Sequence, residues 1–314
     1  MTVLPAYGGL PLRHGVSPSC VSLPPGPWST FTDFLTDRFP AVGRSTWLER
    51  MAAGLVADES GQLVTAERPY RGHIRLYYYR ALPREARLPF EAQVLHQDEH
   101  LVVADKPHFL PVIPSGSYLQ ETLLVRLKNQ LGIADLVPLH RIDRETAGLV
   151  LFSVKPQDRN AYQALFRQRL IDKHYEAIAL APPAGMQLPL RRTTRIGPGT
   201  IFFMQSEIPG EPNSDTHVEL LETWGSLARY ALHPVTGKKH QLRLHMQALG
   251  MAIHNDRLYP SLATAHHVEP IAVDDYSRPL QLLAKGIGFA DPITGEKRVF
   301  TSQRQLASLS GLQG

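Results

Sequence analysis

The sequence has almost no cysteine: Cys20 stands alone among 314 residues. A single thiol excludes an intramolecular disulfide and a zinc site built on cysteines. Long apolar runs are missing too. No stretch approaches the ~20 residues that a membrane-spanning helix needs, so no membrane partner is expected. Residues 1–12 have neither a basic start nor a continuous apolar segment, so no secretory signal is expected there. Neither sign of charge dominates, since 33 Lys and Arg against 29 Asp and Glu leave a net +4. So small an excess does not by itself argue for nucleic acid; where the charges sit matters more. There is no internal repeat and no low-complexity tail. The composition, 43% hydrophobic and 20% charged, is that of an ordinary globular chain, and the cytoplasm is the expected compartment. The length suits one large domain or two unequal ones.

Residues 1–29 carry Pro5, Gly8, Gly9, Pro11, Pro18, Pro24, Pro25 and Pro27 and read as an irregular arm. Residues 30–88 read as a small module. Phe31, Phe34, Leu35 and Phe39 recur near helical spacing, and a second helix is expected from Ser45, as N-cap, through Met51 to Gly54. Strand signals follow at 55–58 and 74–79. Between Glu67 and Arg87 lie Arg68, Arg71, Arg75, Arg80, Arg84 and Arg87, with Tyr70, Tyr77, Tyr78 and Tyr79 among them. Arginine with tyrosine suits a polyanion with stackable bases, and Arg71 and Arg75 are candidate contacts. The same run suits a solvated basic strand with tyrosines packed beneath it.

Residues 83–89 look like a linker, and 89–314 form the larger region. Its strand signals fall at 92–95, 100–104, 148–154, 175–181, 217–221 and 226–232. Helices are expected at 157–169 and at 240–249, where Leu242, Met246 and Leu249 share a face. Strands and helices mix without regular alternation, which favours an α+β fold over a doubly wound one.

One run concentrates chemistry: Leu139-His140-Arg141-Ile142-Asp143-Arg144-Glu145-Thr146-Ala147-Gly148-Leu149. Asp143 lies in a polar turn just before a buried strand. A carboxylate there is held on a rigid backbone at a strand edge, which suits a nucleophile or general base. The turn equally suits an aspartate that bonds its own backbone. His240 and His245 are five apart and do not share a helical face as a metal-binding pair would, so neither is read as a ligand.

His140 to Leu149 closely resembles the HRLDxxTSGLL signature of RluA-type RNA pseudouridine synthases. Three further stretches resemble family motifs in the same order: Asp98 through Lys106-Pro107, then Lys173-His174-Tyr175-Glu176-Ala177, then Thr236-Gly237-Lys238-Lys239-His240-Gln241-Leu242-Arg243-Leu244-His245. The tail with Asp256 and Tyr259 also fits, and the likeness covers roughly 92–300. Ile142, Ala147, Asn255 and the stretch Leu282-Leu283-Ala284 depart mildly from the pattern.

The resemblance implies an α+β fold: a mixed, mainly antiparallel sheet flanked by helices, beside a small α/β RNA-binding module. It implies an isomerase acting on uridine in RNA, without metal or other cofactor. Asp143 takes the place of the essential aspartate. Arg243 takes that of its arginine partner, and Tyr175 that of the tyrosine stacked on the uracil. Arg141 takes that of the arginine pushed into the RNA as the base leaves. His140, Thr146 and Leu282 are expected at the substrate. The module at 30–88 loosely resembles the S4-like unit fused to many relatives, which tilts the expectation toward ribosomal over transfer RNA. A monomer is expected.

Overall fold

The computed structural model describes residues 9–80, 85–201, 203–260 and 275–312. The first eight residues of the expected arm and the start of the expected linker lie outside them. The chain divides into two units. The first takes residues 1–86 with 114–121 and 125–134, and the second takes 87–113, 122–124 and 135–314.

In the first unit, β1 (Ser19–Ser22), α1 (Phe31–Arg38), α2 (Arg44–Ala52), β2 (Val56–Asp58) and β3 (Arg75–Tyr78) follow one another. The strands form an antiparallel sheet in the order β1-β3-β2. β1 corrects the reading of 1–29 as wholly irregular. Pro18 and Pro24 flank the paired residues, so their missing N–H groups leave the ladder intact. Helix α1 opens with a capping box between Thr30 and Asp33. Helix α2 is capped by Gly43 rather than Ser45: the Gly43 carbonyl accepts from Trp47 N–H at 3.3 Å, which draws Ser45 into the first turn. Phe31, Phe34, Leu35, Trp47 and Leu76 pack as its core, with Tyr78 among them and Tyr70 against them. The tyrosines of the basic run are therefore largely packing residues. Arg71 and Arg75 are exposed.

The second unit is built from β4 (Gln93–Gln97), β5 (Leu101–Lys106), α3 (Leu123–Leu131, only its first two residues), β6 (Val137–Pro138), β7 (Ala147–Ser153), α4 (Arg159–Arg167), β8 (Asp172–Leu180), β9 (Leu190–Thr194), β10 (Ile196–Pro198), β11 (Gln205–Glu207), β12 (Ser214–Trp224), β13 (Leu227–Pro234), α5 (Gln241–Ala248), β14 (Leu282–Ala290) and β15 (Lys297–Thr301). Ten strands make one sheet along β4-β5-β7-β14-β8-β13-β12-β9, with β6 on β7 and β15 on β14. Every pairing in it is antiparallel except β7 with β14. This is the expected α+β architecture. β7 is buried along its whole length, as a central strand covered on both faces must be.

Two features of the register position the site. Ala284 on β14 pairs with Gly148 on one side and with Tyr175 on the other. The loop before β7 and the aromatic ring on β8 are thus brought to one region by the strand between them. The parallel contact requires a glycine: Gly148 has φ +110°, and a Cβ there would lie 2.3 Å from the Ala284 carbonyl oxygen.

Candidate active site

Asp143 opens a β-turn in which Thr146 N–H donates to the Asp143 carbonyl at 3.2 Å. The turn is fixed from behind by the end of β5. Lys106 is fully buried, and its ammonium donates to the carbonyls of Pro107 (2.9 Å) and Arg144 (3.0 Å). Burial pushes its pKa down to about 7, against the pull of Glu145 and Asp143. His108 Nδ1 donates to the Glu145 carbonyl at 2.6 Å, and burial holds that ring neutral, with a pKa near about 4. The Arg144 side chain turns back to the Phe109 carbonyl at 3.0 Å. Three successive carbonyls of the turn are therefore occupied, and the Asp143 side chain is left about 23% exposed.

Arg243, on α5, meets this carboxylate. Its Nη1 lies 3.2 Å from Asp143 Oδ2, while Nε and Nη2 form a two-pronged bond to Asp256 at 2.7 Å each. Asp256 is fully enclosed and also accepts the N–H groups of Leu258 and Tyr259. Burial works against the guanidinium charge, yet the Asp256 bonds and the nearby Asp256 and Asp143 charges outweigh it and raise the arginine's pKa. A planar fork locked on one carboxylate presents its remaining N–H to a second at a fixed angle, which a flexible ammonium does not do. Asn255, just before Asp256, sits at φ +63°. Asparagine tolerates that left-handed backbone, so the departure from the family pattern at this position leaves the arginine clamp in place.

Helix α5 has two working faces. Gln241 bonds the Asp215 carbonyl and Thr216 Oγ1 with its amide nitrogen, and its oxygen accepts from Thr236 Oγ1 and Lys238 N–H. One turn on, His245 reaches Thr194, Ser214 and Thr216, and burial holds it neutral with a pKa pushed to about 4. These two side chains, four apart, fasten the helix to β12 and β9. His240 and Arg243, three apart, face the carboxylate instead. His240 caps the helix at φ +58°, with Nε2 3.9 Å from Asp143 Oδ1 and Nδ1 2.8 Å from the Tyr259 hydroxyl.

Tyr175 is half-buried against the apolar cluster of Leu242, Met246 and Leu282, and its hydroxyl has no hydrogen bond among the described residues. Burial and the Asp143 charge raise its pKa, so the ring is a neutral, apolar-backed face. Arg141 is exposed and forms no side-chain hydrogen bond or ion pair among the described residues.

Three residues expected at the substrate have structural partners. His140 Nε2 accepts from Leu151 N–H at 3.1 Å, and its ring stacks on Phe166. Burial drives its pKa down to about 3, so it is a neutral strut between β7 and α4. Thr146 is buried and closes the Asp143 turn through its backbone. Leu282 sits at 3% exposure beneath Tyr175 rather than at the surface. The structure adds Asp256, His240, Tyr259, Lys106 and His108 to the residues around Asp143. The sequence carries a signal for all but His108, in the Asp98–Pro107 and Thr236–His245 runs and the Asp256/Tyr259 tail; that two carboxylates share one arginine shows only in space.

A mixed sheet that presents one carboxylate, paired with a buried arginine and set near an apolar-backed aromatic face, defines an enzyme class built to act on a flat ring. The family model for RNA pseudouridylate synthase matches residues 100–248. A curated "Dual-specificity RNA pseudouridine synthase RluA" from Pasteurella multocida is 31% identical over 67% of this chain and 91% of its own length. An "Uncharacterized RNA pseudouridine synthase slr1592" from Synechocystis is 29% identical over 72% of this chain and 78% of its own. Among solved structures, "Human RNA Pseudouridylate Synthase Domain Containing 4" superposes with a TM-score of 0.52 at 25% identity, covering 68% of this chain and 88% of that one. The chain belongs to the RluA-type RNA pseudouridine synthases. It is an isomerase acting on uridine in RNA.

Proposed function

We propose that the protein converts specific uridines of a structured RNA, ribosomal more than transfer RNA, with Asp143 as the catalytic carboxylate. The observation that carries this reading is the placement of Asp143: partly exposed, with Oδ2 on an arginine that is itself clamped by a buried second carboxylate. The reaction breaks the bond between ribose C1′ and uracil N1, turns the base and joins C1′ to C5. A proton leaves C5 and N1 gains one, so the conversion is redox-neutral and balances without a cofactor. Asp143 acts at the sugar or the base while Arg243 keeps it oriented. Extruding a base from a folded RNA costs a few kcal/mol. Arg141, unpaired and adjacent in sequence, fills the vacated stack, and the Tyr175 ring holds the loose base by stacking of ~1–3 kcal/mol.

His140 and Thr146 enter this proposal as supports of the Asp143 turn, and Leu282 as the floor under Tyr175. Residues 30–88 act as an accessory RNA-binding module through Arg71 and Arg75, and it is this module that tilts the proposal toward ribosomal RNA. The catalytic region is 89–314, and the protein works as a monomer in the cytoplasm. A Saccharomyces cerevisiae relative is named as a tRNA pseudouridine(32) synthase, so transfer RNA is the second substrate class to test. The test is pseudouridine mapping across ribosomal and transfer RNA from cells lacking the protein. A site lost, and restored by wild type but not by Asp143→Asn, supports the reading and names the substrate. Equal rescue by both forms overturns it.

A further inference from the structure

The two oxygens of Asp143 face different partners. Oδ2 is bonded by Arg243 Nη1 at 3.2 Å, whereas Oδ1 lies 3.9 Å from His240 Nε2, beyond bonding distance. What His240 does there depends on which ring nitrogen carries its proton, and its surroundings decide that. Nδ1 lies 2.8 Å from the Tyr259 hydroxyl. That hydroxyl accepts Gln205 N–H at 2.8 Å, and its own proton has two outlets: His240 Nδ1 at 2.8 Å or the Gln205 carbonyl at 3.3 Å. The nearer acceptor is the ring. A proton donated to Nδ1 leaves the imidazole's own proton on Nε2, aimed at the carboxylate. The alternative tautomer would set a bare lone pair on Nε2 against Oδ1, which is repulsive. Both considerations select Nε2–H.

The charged groups around the ring are Asp143, Arg243, Lys239 and Asp256; Tyr259 is its neutral neighbour. Burial keeps the imidazole below its ordinary pKa, so it meets Asp143 as a neutral donor. Its side chain is only 8% exposed, and its backbone is held left-handed at φ +58°. The ring is therefore an aimed dipole.

We propose that His240 is a positioning residue for the isomerisation: its Nε2–H, fixed by Tyr259, orients Asp143 so that Oδ2 stays on Arg243 and Oδ1 is presented to the uridine. A small rotation of the Asp143 side chain closes the remaining gap to a hydrogen bond, and a second lone pair on Oδ1 stays open to the substrate. Tyr259 acts one step further back, through the tautomer. This rests on the reading of Asp143 as the catalytic carboxylate.

Two substitutions separate the links. Asparagine is at ease at a left-handed position and puts its amide where Nδ1 was, so His240→Asn keeps a partner for Tyr259 and removes only the donor to Asp143. His240→Gln puts an amide N–H near the Nε2 position and gives up the Tyr259 link. The assay is release of tritium from bulk RNA labelled at uridine C5, taken from cells lacking the protein. His240→Asn should lower kcat about 10- to 100-fold, the effect of one hydrogen bond to a charged group. KM and Tm should stay near the wild-type values. The pH–rate profile should change shape as well, since the titratable ring beside the carboxylate is gone. His240→Gln should recover part of the rate. Tyr259→Phe should slow the wild type but add nothing to His240→Asn, since it acts through the same ring. Wild-type kcat and pH profile in His240→Asn, with Asp143→Asn inactive, would overturn the positioning role and leave the function standing. Additive losses in the double variant would remove Tyr259 from the relay. If the wild type itself releases no tritium, the functional reading fails rather than this one. Should His240→Asn not fold, His240→Gly, which accepts the left-handed backbone and has no donor, carries the same test: a full rate overturns the proposal.

Discussion

Arg243 serves two carboxylates with one guanidinium, and its geometry sets what each substitution should do. Arg243→Lys keeps the charge but loses the fork, so one ammonium must choose between Asp256 and Asp143. The buried Asp256 takes it, and Asp143 is released. A fall of at least about 100-fold in kcat, with a loss of only about 1 kcal/mol as a two-pronged bond to Asp256 becomes a single one, is expected from steady-state assays and urea denaturation. Near-wild-type turnover would show that Asp143 needs no arginine. At this scale much of the site was legible. Asp143, Tyr175 and Arg243 could be nominated from motif runs, and the fold brings the three into one region. His140 and Thr146 could not be sorted from them. Both adjoin Asp143 in sequence, but adjacency does not reveal that His140 turns its ring to Leu151 N–H or that Thr146 is buried.

The Asp143 turn owes its rigidity to the elements on either side of it. β5 ends at Lys106, which together with His108 in the following loop holds the turn's carbonyls, and β14 presses against its exit at Gly148. Gly148→Ala places a methyl group 2.3 Å from a backbone oxygen at a φ of +110°. The backbone cannot yield there without parting β7 from β14. A destabilisation of roughly 3 kcal/mol or more is expected, read as a drop in Tm, with activity lost alongside it. A Tm within a degree or two of wild type would contradict the packing described here. Several elements were not legible in the sequence. β14 carries Gly286 and Gly288, which weaken any strand signal, yet β8 and β15 pair with it on both sides and impose the extended form. β9, β10 and β11 are three to five residues long, too short for alternation to be read. In contrast, α5 and β7 were recognisable, because a long apolar strand and a helical stripe survive without their neighbours.

For the second unit as a whole, buried histidines set the behaviour in acid. His108, His140 and His245 have pKa values lowered to about 4, about 3 and about 4 from an ordinary 6.5. Between those values and 6.5 the unfolded chain binds more protons than the folded one, so stability falls as pH falls. Each contributes up to ~1.4 kcal/mol per pH unit in that window. Urea midpoints should decline steadily from pH 7 to pH 5, before most carboxylates titrate; a flat profile would mean these rings are not buried neutral. The net charge of +4 said little about the partner, because the useful signal lay in the placement of a few side chains. The most direct test of the central claim is pseudouridine formation by purified protein on RNA from cells lacking it, comparing wild type with Asp143→Asn while RNA binding is measured in parallel. Product is expected from the wild type, none from the variant, and equal binding by both; product from the variant at a comparable rate would remove Asp143 from the chemistry.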